Sequence, residues 1–292
     1  MKNALLSIIV CAYICCCSPA CAAAGRPYET QTGAPYREFF FADEKTFVYA
    51  VKNAREYGTF DARAGVVPHH LTAAPLIAGF FKAIRDGGEA IETVVVVGPD
   101  HEGADGEITV SGADWDNRVL CDAGLIDAIT GVRLTDGKIE SNDAIIKADH
   151  AVGALVPFIG HYLPGAKIAP VLLNKSLSYG DAFAFAGALA DIINTSGKKI
   201  LLLCSIDFSH YLTPKDARVK DAETILTMER CDYRELYAFN DAHADCRAAL
   251  IVFLYFLEVN GLELTVVDHT DASAFTGPCA DETTSYFILV GQ

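Results

Sequence analysis

The 292-residue chain is 51% hydrophobic and 21% charged, the balance of a globular core with a wetted surface. Its formal net charge of −15 repels phosphate backbones and anionic lipid, so neither nucleic-acid binding nor docking on acidic membranes is expected.

The first residues read as an export signal. Lys2 gives a positive start, residues 4–17 are almost wholly apolar, and small residues close the segment at 20–24. The apolar run is shorter than a membrane span. Cleavage is expected after Ala24, which leaves a chain starting near Gly25 in the periplasm or on the cell surface. A lipid anchor on Cys15, Cys16, Cys17 or Cys21 is the alternative. The mature chain keeps Cys121, Cys204, Cys231, Cys246 and Cys279. An odd number with loose spacing is no disulfide framework, so at least one thiol stays free in an oxidising compartment.

Residues 25–60 read as a lead-in that packs on the outside. From residue 64 on, β-branched runs alternate with helical patterns. A strand over 65–67 precedes helical apolar spacing over 71–85. The run TVVVV at 93–97 predicts a strand buried on both faces, and 107–110 another. Helices are expected over 149–162 and 179–193, and strands over 167–173 and 199–206. Helices over 216–229 and 245–260 follow, and strands over 262–267 and 285–290 finish the sheet. Strands alternating with helices imply crossover connections. The expectation is one three-layer α/β/α domain over 25–292, with a largely parallel or mixed central sheet.

In open α/β sheets, ligands bind beyond the carboxyl ends of the strands. Three predicted strands deliver histidine there. Pro68-His69-His70 follows the first, Asp100-His101-Glu102 the second, and Asp207-Phe208-Ser209-His210 the strand at 199–206. Corresponding placement points to one shared site, and neutral imidazole is the commonest metal ligand. Two histidines hold a metal weakly, so a third ligand is needed. Cys246 opens the apolar run CRAALIVFLYFL, where a helix dipole would favour its thiolate. It is the expected third ligand, with Asp245 as the alternative. His150, beside Asp149, reads equally as a helix-start residue and as a pocket residue. His161, His243 and His269 follow no comparable strand end and are expected on the surface or in loops. Cys204, inside LLLCS, is expected in the core.

Five motifs carry a resemblance to a known family: VVPHH (66–70), VVGPDH (96–101), DHAVGALVPF (149–158), SIDFSHY (205–211) and DCRAAL (245–250). Their order and spacing resemble the Memo family, known in bacteria as AmmeMemoRadiSam system protein B. The resemblance implies a fold similar to the catalytic subunit of class III extradiol ring-cleaving dioxygenases, which hold Fe(II) on two histidines and a carboxylate. It puts the family's metal ligands on His69, His101 and Cys246. It puts the acid–base histidine of the dioxygenases on or near His210, and another pocket histidine on His150. It also implies a functional link to a radical-SAM protein and an AMMECR1-like protein. The chain departs from the family pattern at His70, Gly153 and Arg247, so the pocket lining differs.

The combined expectation is a metal-dependent oxidoreductase with iron or copper favoured and zinc possible. It would act on a small-molecule or peptide ligand in the metal pocket, with His210 and His150 as catalytic residues. A non-catalytic metal-binding module and a zinc-dependent hydrolase are the alternatives. A blue-copper carrier is disfavoured, because the mature chain offers only Met228 as a weak axial ligand.

Overall fold

The computed structural model describes residues 28–29, 35–36, 44–115, 119–277 and 281–292. The expected export segment and Cys279 lie outside these residues. A two-residue antiparallel ladder pairs Tyr28–Glu29 with Pro35–Tyr36.

Eight strands form the main sheet: β1 (Ala64–Val67), β2 (Thr93–Pro99), β3 (Ile108–Val110), β4 (Ile139–Ser141), β5 (Lys167–Leu173), β6 (Ile200–Ser205), β7 (Leu264–Asp271) and β8 (Ser285–Gly291). Their order is β4-β3-β5-β2-β6-β1-β8-β7. The central run β5-β2-β6-β1 is parallel. On either side the sheet turns antiparallel, at the β3–β5 and β1–β8 pairings. The expected mixed α/β/α architecture is what the chain adopts.

The valine run of β2 explains the layers. Successive side chains in a strand point to opposite faces. Val95 and Val97 enter one apolar cluster, with Val171, Leu202 and Leu289 from neighbouring strands. Val94 and Val96 enter the other, with Ile168, Leu201 and Ile288. The helices include α1 (Glu44–Lys52), α2 (Ala74–Asp86), α3 (Ala123–Thr130), α4 (Asp143–Ala148), α5 (His150–Gly153), α6 (Val156–Tyr162), α7 (Tyr179–Thr195), α8 (Pro214–Glu229), α9 (Tyr233–Tyr237) and α10 (Arg247–Asn260). Apolar faces of α3, α7 and α10 cover the first cluster. Those of α1, α2 and α6 cover the second.

Two expectations needed revision. Part of the lead-in is helix α1, which buries Phe47 and Ala50. Phe47 packs on Phe158 with ring centroids 5.3 Å apart, so this segment belongs to the core. The single helix expected over 149–162 is broken. Asp149 caps α5, which ends at Gly153, and α6 starts only at Val156 with Pro157 in its first turn. Proline has no N–H to donate to the preceding turn, so it sits at a helix start rather than inside one.

Candidate metal centre

Strands β1, β2 and β6 are parallel neighbours, so the residues after them emerge at one edge. His69 follows β1 and is 2% exposed. Its Nδ1 lies 3.1 Å from Ser205 Oγ. That hydroxyl donates its own proton to the Ala151 carbonyl at 2.6 Å, so it accepts from His69 Nδ1–H. The imidazole is thereby oriented with Nε2 toward the pocket.

His101 follows β2. Its Nδ1 is 2.9 Å from Asp149 Oδ1, and a carboxylate only accepts, so Nδ1 carries the proton. Its Nε2 is thereby left toward the same side as that of His69. Asp149 is fully buried. It also accepts from the His101 backbone N–H at 2.7 Å and caps α5 through the Ala151 N–H at 2.8 Å. Burial alone would raise its pKa, but the hydrogen bonds and charge of His101 outweigh that and hold the carboxyl below its usual range.

Helix α5 brings in His150. Its ring stacks on His101 with centroids 4.0 Å apart, and meets His69 edge-on at 5.0 Å. Burial and the neighbouring His69 and His101 push its pKa down to about 3. This close approach needs Gly98 in β2. A Cβ there would sit 2.9 Å from Ala151 Cβ and 3.3 Å from Ser205 Cβ.

Ring nitrogens of His69, His101 and His150 lie within 4.8 Å of one another. A nitrogen of His69 lies equally close to carboxylate oxygens of Asp207 and Asp245. His69 Nε2 is 3.2 Å from Asp245 Oδ2 and 3.7 Å from Asp207 Oδ2. Burial pulls the pKa of His69 down, but Asp207 and Asp245 more than offset it and raise it to about 9. The two trios therefore meet at His69.

The expected thiolate ligand does not join them. Cys246 belongs to neither trio and packs in the apolar cluster that also holds Cys204. It is the N-cap of α10 rather than a first-turn residue. Burial, then the negative charge of Asp245, raises its thiol far above the ordinary range, against the pull expected from the helix dipole. Asp245, one residue earlier, faces His69. Cys121, Cys204, Cys231 and Cys246 are all free thiols, and Cys204 is core, as expected.

His210 belongs to neither trio. Its backbone N–H donates to the Asp241 carbonyl at 2.9 Å, and its Nδ1 is buried with no hydrogen-bond partner among the described residues. It lies near His70, whose pKa is lowered by burial first and also by His69 and His210. His269 is not a loop residue. It sits in β7, stacked on Phe287 at 4.0 Å, with Nε2 2.7 Å from the buried Asp221. His243 stacks on Phe239, and His161 packs edge-on against Phe47. Asp149 and Ser205 escaped notice as functional residues in the sequence. The only signal was their place beside recognised histidines or at a strand end.

Three imidazoles and two carboxylates, gathered at one edge of the central parallel strands from strand ends and helix starts, define an α/β protein whose donor set could hold a metal ion. The family model described as "Memo-like protein" matches residues 28–290. A MEMO1 family protein of Pyrobaculum aerophilum is 26% identical over 241 residues, covering 79% of this chain and 83% of its own. One of Archaeoglobus fulgidus is 25% identical over 233 residues, covering 74% and 84%. An uncharacterized Escherichia coli protein of solved structure aligns with a TM-score of 0.49 at 11% identity, over 76% of this chain and 98% of its own. The chain belongs to the Memo-like family.

Proposed function

We propose that this protein is a metal-dependent oxidoreductase built around one transition-metal ion, iron or copper, on the Nε2 atoms of His69 and His101. The observation that carries this reading is the orientation of both rings. Ser205 and Asp149 engage the two Nδ1 atoms and leave both Nε2 atoms toward one pocket. Partners of this kind hold ligand orientation and raise ligand basicity. The bound ion would supply Lewis acidity and one-electron chemistry toward oxygen or an organic ligand.

The chain's own groups divide the remaining work. His150, stacked on His101 and edge-on to His69, is placed to orient the ligand by hydrogen bonding or to add to the metal set. His210, whose Nδ1 has no partner among the described residues, is assigned to proton transfer. The pocket takes a small-molecule or peptide ligand. The N-terminal pattern supports action in the periplasm or at the cell surface. Sequencing the N-terminus of protein from the native host should find a start near Gly25, and an intact Met1 in cytosol would contradict export. In that compartment, the link to a radical-SAM protein and an AMMECR1-like protein is one of function rather than contact.

Metal analysis tests the reading. Protein exposed anaerobically to Fe(II) or Cu(I) and desalted should retain about one equivalent. His69→Ala and His101→Ala should lose it, and oxygen uptake by the loaded protein should fall with occupancy. Retention of metal by both variants sinks the proposal, and so does zinc with ester hydrolysis but no oxygen chemistry.

A further inference from the structure

We propose that the exposed face of α8 is the interface of a two-fold homodimer, in which α8 packs antiparallel on α8 of a second copy of this chain. The proposal is independent of the metal-centre reading above.

Helix α8 carries two seams at the alternating spacing of four and three that lines side chains along one helix face. Ala217, Asp221, Thr224 and Met228 form the buried seam. Asp221 ties that side down. Its Oδ1 accepts from Ser209 Oγ and from Ser285 Oγ, each at 2.7 Å, and its Oδ2 accepts from His269 Nε2–H at 2.7 Å. The helix is therefore a fixed platform. Its second seam is Lys215, Val219, Ala222, Leu226 and Glu229, and all five are exposed. Val219 is 53% exposed and Leu226 52%. Two large aliphatic side chains two turns apart, with alanine between them, make the stripe that a helix–helix contact buries.

The charges select the occupant. Lys220 and Glu223 pair with each other beside the seam at 2.7 Å. Lys215, Arg218 and Glu229 have no ion-pair partner among the described residues. Lys215 opens the seam and Glu229 ends it, at equal distances in sequence from Ala222. Antiparallel pairing about a two-fold axis at Ala222 sets Lys215 of each copy against Glu229 of the other and Val219 beside Leu226. Parallel pairing would oppose like charges at both ends, and a partner of one charge sign would match one end only. Alanine at the axis lets the two helices approach to about 8–10 Å. The net charge of −15 sets copies of the chain against one another. Repulsion is small at this face, because Lys215, Arg218 and Lys220 offset all but one of the α8 carboxylates Asp216, Asp221, Glu223 and Glu229. One helix per copy falls near or below the low end of stable interfaces, about 1,200 Å² in total, so the dimer is a weak one that forms at about 10–100 μM.

Sedimentation of the purified protein over about 5–300 μM tests this. Reducing conditions exclude a disulfide through the exposed Cys231. The wild type should show a reversible monomer–dimer equilibrium. Leu226→Glu should weaken it about tenfold or more. Lys215→Glu and Glu229→Lys should each weaken it about threefold or more, and the double swap should restore it to near the wild-type constant. The charge variants decide the matter where Leu226→Glu does not fold, since both positions are exposed. A wild type that stays monomeric throughout overturns the proposal and leaves the seam to a different partner. A dimer untouched by Leu226→Glu has its interface elsewhere and overturns it too. Single swaps without effect, or a double swap without rescue, overturn the antiparallel pairing.

Discussion

At the scale of residues, Asp149 joins the pocket to the fold. One buried carboxylate receives the His101 ring N–H, the His101 backbone N–H and the first free N–H of α5. Asp149→Asn keeps the shape but can turn a donor toward His101 Nδ1–H. The expected result is a loss of about 10–100-fold in metal affinity with the protein still folded. Titration with iron(II) or cobalt(II) reads this, and unchanged affinity would reduce Asp149 to a helix cap. Cys204→Ala provides the contrast. Its Sγ donates to the Ala249 carbonyl at 3.5 Å inside the core, so it should cost about 1 kcal/mol of stability and leave metal binding alone. The histidines were legible in sequence because strand ends mark them. Which of Asp245 and Cys246 lies nearest His69 was not legible, because a donor-rich pair such as Asp-Cys does not say which member is turned toward it; the Asp245 carboxylate is the one 3.2 Å from His69 Nε2. Asp149 and Ser205 act only through tertiary contacts, which no local pattern records.

At the scale of elements, the close packing of α5 against β2 is what gathers the histidines. Gly98→Ala should force its new Cβ against Ala151 and cost about 1–3 kcal/mol, read as a lowered denaturation midpoint, with weaker metal binding as α5 shifts. Asp181 makes a comparable tie at the start of α7. It accepts from the backbone N–H of Thr135 at 2.6 Å and of Gly137 at 3.0 Å. Burial would raise its pKa, but these bonds, with those of Asp136 and Ser178, outweigh it and lower it. A carboxyl with a folded pKa below its unfolded value stabilises fully above the unfolded value, roughly pH 4. That contribution is lost as pH falls through the folded value. Asp181→Asn should therefore cost about 1–3 kcal/mol at pH 7 and much less at pH 3, measured by urea denaturation at both. The long periodic elements were legible. The break at Ala154–Leu155 was not, because the apolar spacing of 149–162 continues across it and only Pro157 signals a new helix. Helix α1 was missed since just two of its residues face the core.

At the scale of the molecule, the parallel run β5-β2-β6-β1 puts three chemically rich turns at one edge, and antiparallel strands close both flanks. Alternation of strands and helices made the layers and the parallel centre legible. The insertion of β8, last in sequence, beside β1 was not. It is a long-range pairing set by mutual burial of Leu289 and Val66 rather than by a local pattern. That pairing lays Tyr286, whose hydroxyl is 2.6 Å from His70 Nδ1, beside the same edge. The central claim is that this edge holds one metal ion on His69 and His101. Anomalous diffraction from crystals grown with iron(II) under nitrogen, collected on both sides of the iron edge, tests it most directly. The expected map has a single strong peak about 2.0–2.2 Å from both Nε2 atoms. A peak elsewhere, or none at this edge, would contradict the claim.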